Sequence, residues 1–367
     1  TGVQTCALPI YVFLNYSKSG LQDLAVIFGK NNLDLELEND DFKVYSFTKI
    51  KHKKFWFPTL KNPNYKFNFE FKKKFFSEFE TFKFFKKIFI ISEFENQKDI
   101  IENNPDEIFL QISLQGDGFH FDNDKNIKLI TSVLSDGYMP DKYFFDLKLC
   151  LPYFFYQHQL SLIDYEQTIF NENNQPLDKI FFYQRKAEKE HSFKGLRGRN
   201  YFISLLESKL TKDKIETHKI FNNDIEGIRV SYGLYHLGNY FDYTKCMFNL
   251  IFETHHVDWF KNMGIKQNWI SEKTLFAILF SNPFFLLVNE GIINSIKEIG
   301  IEILNDEFEG SDIEEQFINF CNFINNSSFD ERKSLYQKYK NINKKNRKRM
   351  LEYIHSPKYE IIDFIIS

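Results

Sequence analysis

Ser271-Glu272-Lys273-Thr274 places a helix-capping hydroxyl, a carboxylate, an ammonium and a second hydroxyl at the mouth of an apolar run. Ser271 is a competent N-cap, so Glu272 and Lys273 fall in the first turn of a predicted helix. A carboxylate there complements the positive end of the helix dipole, whereas an ammonium opposes it unless an anion shares the site. The mismatch points to anion chemistry: Glu272 can accept two hydrogen bonds from vicinal hydroxyls, as an acidic residue does from a ribose, and Lys273 can neutralise a diphosphate. Without a ligand, the same residues are an ordinary capped core helix whose Glu and Lys face water.

The flanking residues predict what holds this box. Phe248 to Phe252 is an apolar run ending at Glu253, and a second run after the box breaks at Pro283 before Phe284 to Val288. Strand, helix and strand, with the strands hydrophobic almost without interruption, is the pattern of a parallel βαβ unit buried on both faces. The polar residues then sit beyond the carboxyl end of the first strand, where open parallel sheets bind ligands. A second strand-loop-helix unit runs from KIFFYQ (179–184) through a basic loop, Arg185 to Arg199, into a helix. Phe202, Leu205, Leu206 and Leu210 share one face of it. Arg197 and Arg199 at its start, beside free N–H groups, make a candidate anion pocket; solvated loop cations are the alternative.

The rest of the chain reads as strands spaced by helices. YVFLNY, KVYSFTKI, KIFIIS (87–92), EIFLQISL (107–114), GIRVSYG (227–233) and IEIL (301–304) are strand-like, and IKLITSVL (127–134) is a strand or a short helix. LQDLAVIFGKNN, GIINSIKEIG and SDIEEQFINFCNFINN are helical, the last capped by Ser311 or Asp312, and residues 51–86 show no clean period. Glu93 and Glu95 follow a strand and Asp117 sits in a Gly-Asp-Gly turn, so all three are candidate bases by position. The basic stretch near the C-terminus predicts a helix with a solvated charged face or a contact to an acidic or membrane surface.

The 367 residues suggest two domains, because single cores stop growing near roughly 250 to 300 residues. The polar segment Asn171 to Pro176 is the expected linker, giving domains 11–175 and 176–367. TGVQTCALPI (1–10) lacks the Phe/Lys/Asn bias that begins at Tyr11 and reads as a non-native leader. A hydrophobic fraction of 43% with 44 Phe excludes a disordered chain. The charges nearly cancel, to -3, so no global field draws the chain to nucleic acid. Cys6, Cys150, Cys246 and Cys321 lack zinc or disulfide spacing, and no run reaches the roughly 18 apolar residues of a membrane span, so a soluble cytoplasmic protein is expected. His255, His256 and Asp258 lack ligand spacing, so no metal site is expected. No P-loop or nucleophile-elbow motif occurs.

The central stretch resembles the donor-site signature of the α-1,3-fucosyltransferase family. There a Phe-x-Leu-x-Phe-Glu-Asn run precedes Tyr-x-Thr-Glu-Lys-Leu and an apolar segment with Pro. Here the parts read Phe248-Asn249-Leu250-Ile251-Phe252-Glu253-Thr254 and Trp269-Ile270-Ser271-Glu272-Lys273-Thr274. Thr254 replaces Asn, Ser271 and Thr274 replace Thr and Leu, and the intervening segment is longer. The stretch is similar also to glycosyltransferase-like proteins of viral and metagenomic sequence. The resemblance, over roughly 110 residues of the second half, implies a GT-B-like α/β architecture of two Rossmann-like domains. It implies a glycosyltransferase, inverting and metal-independent, with a nucleotide-sugar donor (GDP-linked sugars included), a glycan or other hydroxyl acceptor and no tightly bound cofactor. The donor side would comprise Arg197, Arg199, Glu253, Trp269, Ser271, Glu272 and Lys273, with Glu272 on the ribose and Lys273 on the diphosphate. Two alternatives remain open: a catalytically inactive scaffold of the same fold, and a nucleic-acid-associated protein acting through residues 338–349.

Overall fold

Short strands, most of them apolar, assemble into two parallel sheets. The computed structural model describes residues 11–15, 26–27, 29, 42–46, 86–91, 108–113, 127–132, 142–157, 175–185, 199–220, 244–253, 270, 272–288 and 290–366. The first sheet contains β1 (Tyr11–Asn15), β2 (Phe42–Ser46), β3 (Lys86–Ile91), β4 (Ile108–Ser113), β5 (Ile127–Thr131) and β6 (Tyr143–Phe145), in the order β2-β1-β3-β4-β5-β6. The second contains β7 (Leu177–Arg185), β8 (Ile215–Ile220), β9 (Cys246–Phe252) and β10 (Phe284–Leu287), in the order β10-β9-β7-β8. Every pairing in both is parallel. Counted from its own first strand, each sheet starts 2-1-3-4, so the winding reverses between β1 and β3 in one and between β7 and β9 in the other. The expected α/β class with parallel sheets flanked by helices is the one found.

Among the described residues, helices flank the sheets: α1 (Cys150–Gln157), α2 (Arg199–Lys209), α3 (Glu272–Leu279), α4 (Glu290–Glu298), α5 (Ile313–Asn326), α6 (Phe329–His355) and α7 (Tyr359–Ile366). Asp312 caps α5 by accepting from the N–H groups of Glu314 and Glu315, and a Ser328–Glu331 capping box starts α6. One contiguous core runs from Leu110 and Ile130 through α1 and α3 into the aromatic interior of the second sheet, where Phe285 stacks on Phe320 at 5.0 Å.

Two expectations are corrected. IEIL is not a strand: the chain there leads into a 3-10 helix, Leu304–Glu307, and side-chain amides take the hydrogen bonds a neighbouring strand would offer. Asn305 accepts from the Leu286 N–H at 2.8 Å and donates to its carbonyl at 2.9 Å, sealing the edge of β10. Asn346 of α6 does the same for Glu302, at 3.1 and 2.6 Å. The basic helix is also more than a solvated charge run, because α6 buries Arg332, Tyr336, Tyr339, Asn343, Asn346, Arg347, Met350 and Ile354 along one side. Within IKLITSVL, Ile127–Thr131 forms the strand β5. The predicted strand 227–233 lies outside the described residues.

Helices α6 and α7 tie the sheets together. Near the start of α6, Arg332 forks onto Asp178 of β7 at 2.8 and 2.7 Å. Past its end, the Lys358 N–H donates to the Ile27 carbonyl at 2.8 Å. Gly29, at φ 63°, lies so close to the His355 and Ser356 backbone that a side chain would not fit. Lys128 of β5 reaches the carbonyls of Phe364 and Ile365 at 2.9 and 3.0 Å, so a cation meets the negative end of α7.

Candidate functional site

All seven residues of β9 are buried, as a central parallel strand requires, and the strand delivers Glu253 to the carboxyl edge beside the winding reversal. Beyond it, α3 opens at Glu272 and descends to β10, whose Phe284 to Leu287 pair in register with Asn249 to Phe252. The βαβ unit predicted from sequence is therefore present, with the start of α3 at that edge.

A side-chain contact fixes the junction. Thr274, fully buried in the first turn of α3, donates its hydroxyl to Oε1 of Glu253, which is 4% exposed. A buried carboxylate needs such a donor, and the N-terminal end of a helix is a favourable place for its charge. Lys273 is half-buried, about 100° round the helix from Thr274. At the other edge of the unit, Asn282 donates to the Cys246 carbonyl at 3.0 Å.

The first sheet meets this junction through α1. Cys150, at the start of α1 and fully buried, donates its thiol to Ser132 Oγ at 3.0 Å. Ser132 directly follows β5, and the Cys150 thiol also hydrogen-bonds the backbone of Ile270, two residues before α3. Burial pushes that thiol up to about 12, with the carboxylates of Glu253 and Asp146 adding to the effect and the hydrogen bonds opposing it. Cys150 is thus a neutral packing group rather than a nucleophile. The carboxyl edges of β5 and β9 meet around it, a juxtaposition that the sequence reading of four scattered cysteines missed.

Nearby, Asp146 caps the turn before α1 by accepting from the Lys148 N–H at 2.9 Å. The Lys148 ammonium bridges Asp146 at 3.3 Å and Glu298 at 2.6 Å. Burial works against that charge, but the two carboxylates outweigh it and raise its pKa.

Of the residues expected from sequence, Glu253 and Lys273 stand at the same edge, and Glu272 and Arg199 are the first residues of α3 and α2. Arg197, Trp269, Ser271 and the candidate bases Glu93, Glu95 and Asp117 lie outside the described residues, as do His255, His256 and Asp258. Thr274, which the reading left without a role, holds Glu253. Its only sequence signal is that it stands where the fucosyltransferase pattern has Leu. Among the described residues, no helix is long and apolar enough to cross a membrane.

No protein-family model matches the chain, and no curated protein matches it. It is similar to a solved structure described as a crystal structure of an α1,3-fucosyltransferase, at 11% identity and a TM-score of 0.44, over 100% of this chain and 92% of that one.

Proposed function

We propose that the chain is a glycosyltransferase that moves a sugar from a nucleoside-diphosphate donor to an acceptor hydroxyl. The observation that carries this reading is the position of Glu272 and Lys273: they open a helix at the carboxyl edge of a parallel sheet, beside the winding reversal. Ligands bind at such edges, and a bound anion would offset the unfavourable interaction of the Lys273 ammonium with the helix dipole.

In this reading Glu272 holds the ribose and Lys273 the diphosphate. Ser271 caps the helix, Trp269 takes the place of the family's Tyr, and Arg197 and Arg199 add charge from the start of α2. The acceptor oxygen attacks the anomeric carbon in line with the departing diphosphate, inverting that centre. As the new C–O bond forms, a carboxylate among Glu93, Glu95 and Asp117 takes the acceptor's proton. The electron pair of the broken bond leaves on the nucleoside diphosphate, whose charge the cations and the helix N-terminus stabilise. With that neutralisation supplied by side chains, the reaction needs no metal. The donor side belongs to residues 176–367 and the acceptor side to 11–175.

A thermal-shift titration tests the reading. Nucleoside diphosphates should raise the melting temperature by mass action while oligonucleotides leave it unchanged, and incubation with sugar nucleotides should release the nucleoside diphosphate. A shift with oligonucleotides alone would contradict it.

A further inference from the structure

Helix α3 buries every residue from Thr274 to Leu279. Close packing of those residues limits rotation of the helix about its axis. The rotation matters, because each residue of error turns the first-turn positions by about 100°. A directional contact at the carboxyl edge sharpens that choice where the helix starts. The Thr274 hydroxyl donates to Oε1 of Glu253, and both residues are nearly inaccessible to water. With Thr274 turned to the end of β9, position 273 is turned about 100° away, where the Lys273 side chain is half-buried rather than enclosed.

We infer that Glu253 and Thr274 are a positioning pair for the donor site, helping to set the rotation of α3 so that Lys273 and the N-terminal end of the helix address the diphosphate. The inference rests on the proposed glycosyltransferase reading. It assigns Glu253 an effect on donor binding exerted through α3. It also gives a purpose to the departure from the fucosyltransferase pattern at Thr274, since the Leu of that pattern could not donate to a carboxylate.

Titration of the full chain with GDP and UDP separates this inference from the reading beneath it. Thr274→Val keeps the size of the side chain and deletes the donor, and is expected to weaken binding of whichever diphosphate the wild type binds by about tenfold. Thr274→Ser restores the hydroxyl and should bind within about twofold of wild type, a rescue that a volume effect alone would not give. Glu253→Gln, which keeps an acceptor oxygen but removes the charge, should fall between them and serves if Thr274→Val does not fold. Wild-type binding with undiminished affinity in a folded Thr274→Val or Glu253→Gln protein would overturn the positioning role while leaving the transferase reading intact. Failure of the wild type to bind either diphosphate would overturn both.

Discussion

Where β5 ends, Ser132 meets a neutral thiol; where β9 ends, Glu253 meets the hydroxyl of Thr274. The two sheets share one winding order, so backbone topology does not explain this difference in chemistry. A thiol and a hydroxyl exchange a weak contact and carry no charge into the interior, which suits an edge that packs. A buried carboxylate is costly unless a donor meets it, and it is retained at the edge where an ammonium also opens the adjacent helix. The comparison separates an edge built for packing from an edge built around charge.

The two ends of α6 repeat the contrast. At the second sheet, Arg332 is 7% exposed and forks onto Asp178, and that hydrogen-bonded guanidinium holds the carboxyl below its ordinary range. At the first sheet, the Lys358 ammonium donates to the carbonyls of Tyr353 and Ser356, at 2.5 and 2.7 Å, and lies 4.3 Å from the Tyr353 ring centre. Burial lowers its pKa from 10.5 to about 8, with Asp146 opposing. One anchor is a well-matched ion pair and the other a cation in unfavourable surroundings.

The largest expected effect breaks the matched anchor. Arg332→Ala should cost about 2 kcal/mol in a denaturant melt, because it leaves Asp178 with Lys214 alone and removes the hydrogen bonds to the turn before α6. A loss under about 1 kcal/mol would show that the fork is a solvated pair.

The unfavourable anchor should show itself in pH dependence. Between about 8 and 10.5 the folded chain holds fewer protons on Lys358 than the unfolded chain, so Lys358 contributes stability that grows as pH rises through that window. Relative to wild type, Lys358→Met should lose that rise; parallel stability curves from pH 7.5 to pH 10 would contradict it. The smallest effect concerns the packing edge. Ser132→Ala should cost about 1 kcal/mol, since the thiol it leaves is a weak donor and readily buried.

How much of this could be read in the sequence depends on how local the signal is. The β9–α3–β10 unit was legible because its strands are nearly continuous apolar runs and its helix is preceded in sequence by a competent N-cap residue. IEIL looked equally strand-like, yet Asn305 and Asn346 take its place in the hydrogen bonding, and Asn346 comes from a helix 44 residues away. The buried stripe of α6 escaped because Arg332, Asn343, Asn346 and Arg347 read as solvent-facing in any hydropathy pattern. β8 and α1 were not anticipated, the first half-polar as IETHKI and the second apolar without a period as CLPYFFYQ. At the site, the start of α3 at Glu272 was legible, as was Glu253 at the end of β9. The contact between Glu253 and Thr274 was not, because the two are 21 residues apart and meet only once β9 and α3 share an edge.

The central claim is that Lys273 stands at that edge to neutralise a diphosphate. Calorimetric titration of nucleoside diphosphates into wild type and Lys273→Ala tests it most directly. The account predicts saturable binding by the wild type and none detectable in the variant, with both proteins equally folded. Equal affinity in the two proteins would contradict it.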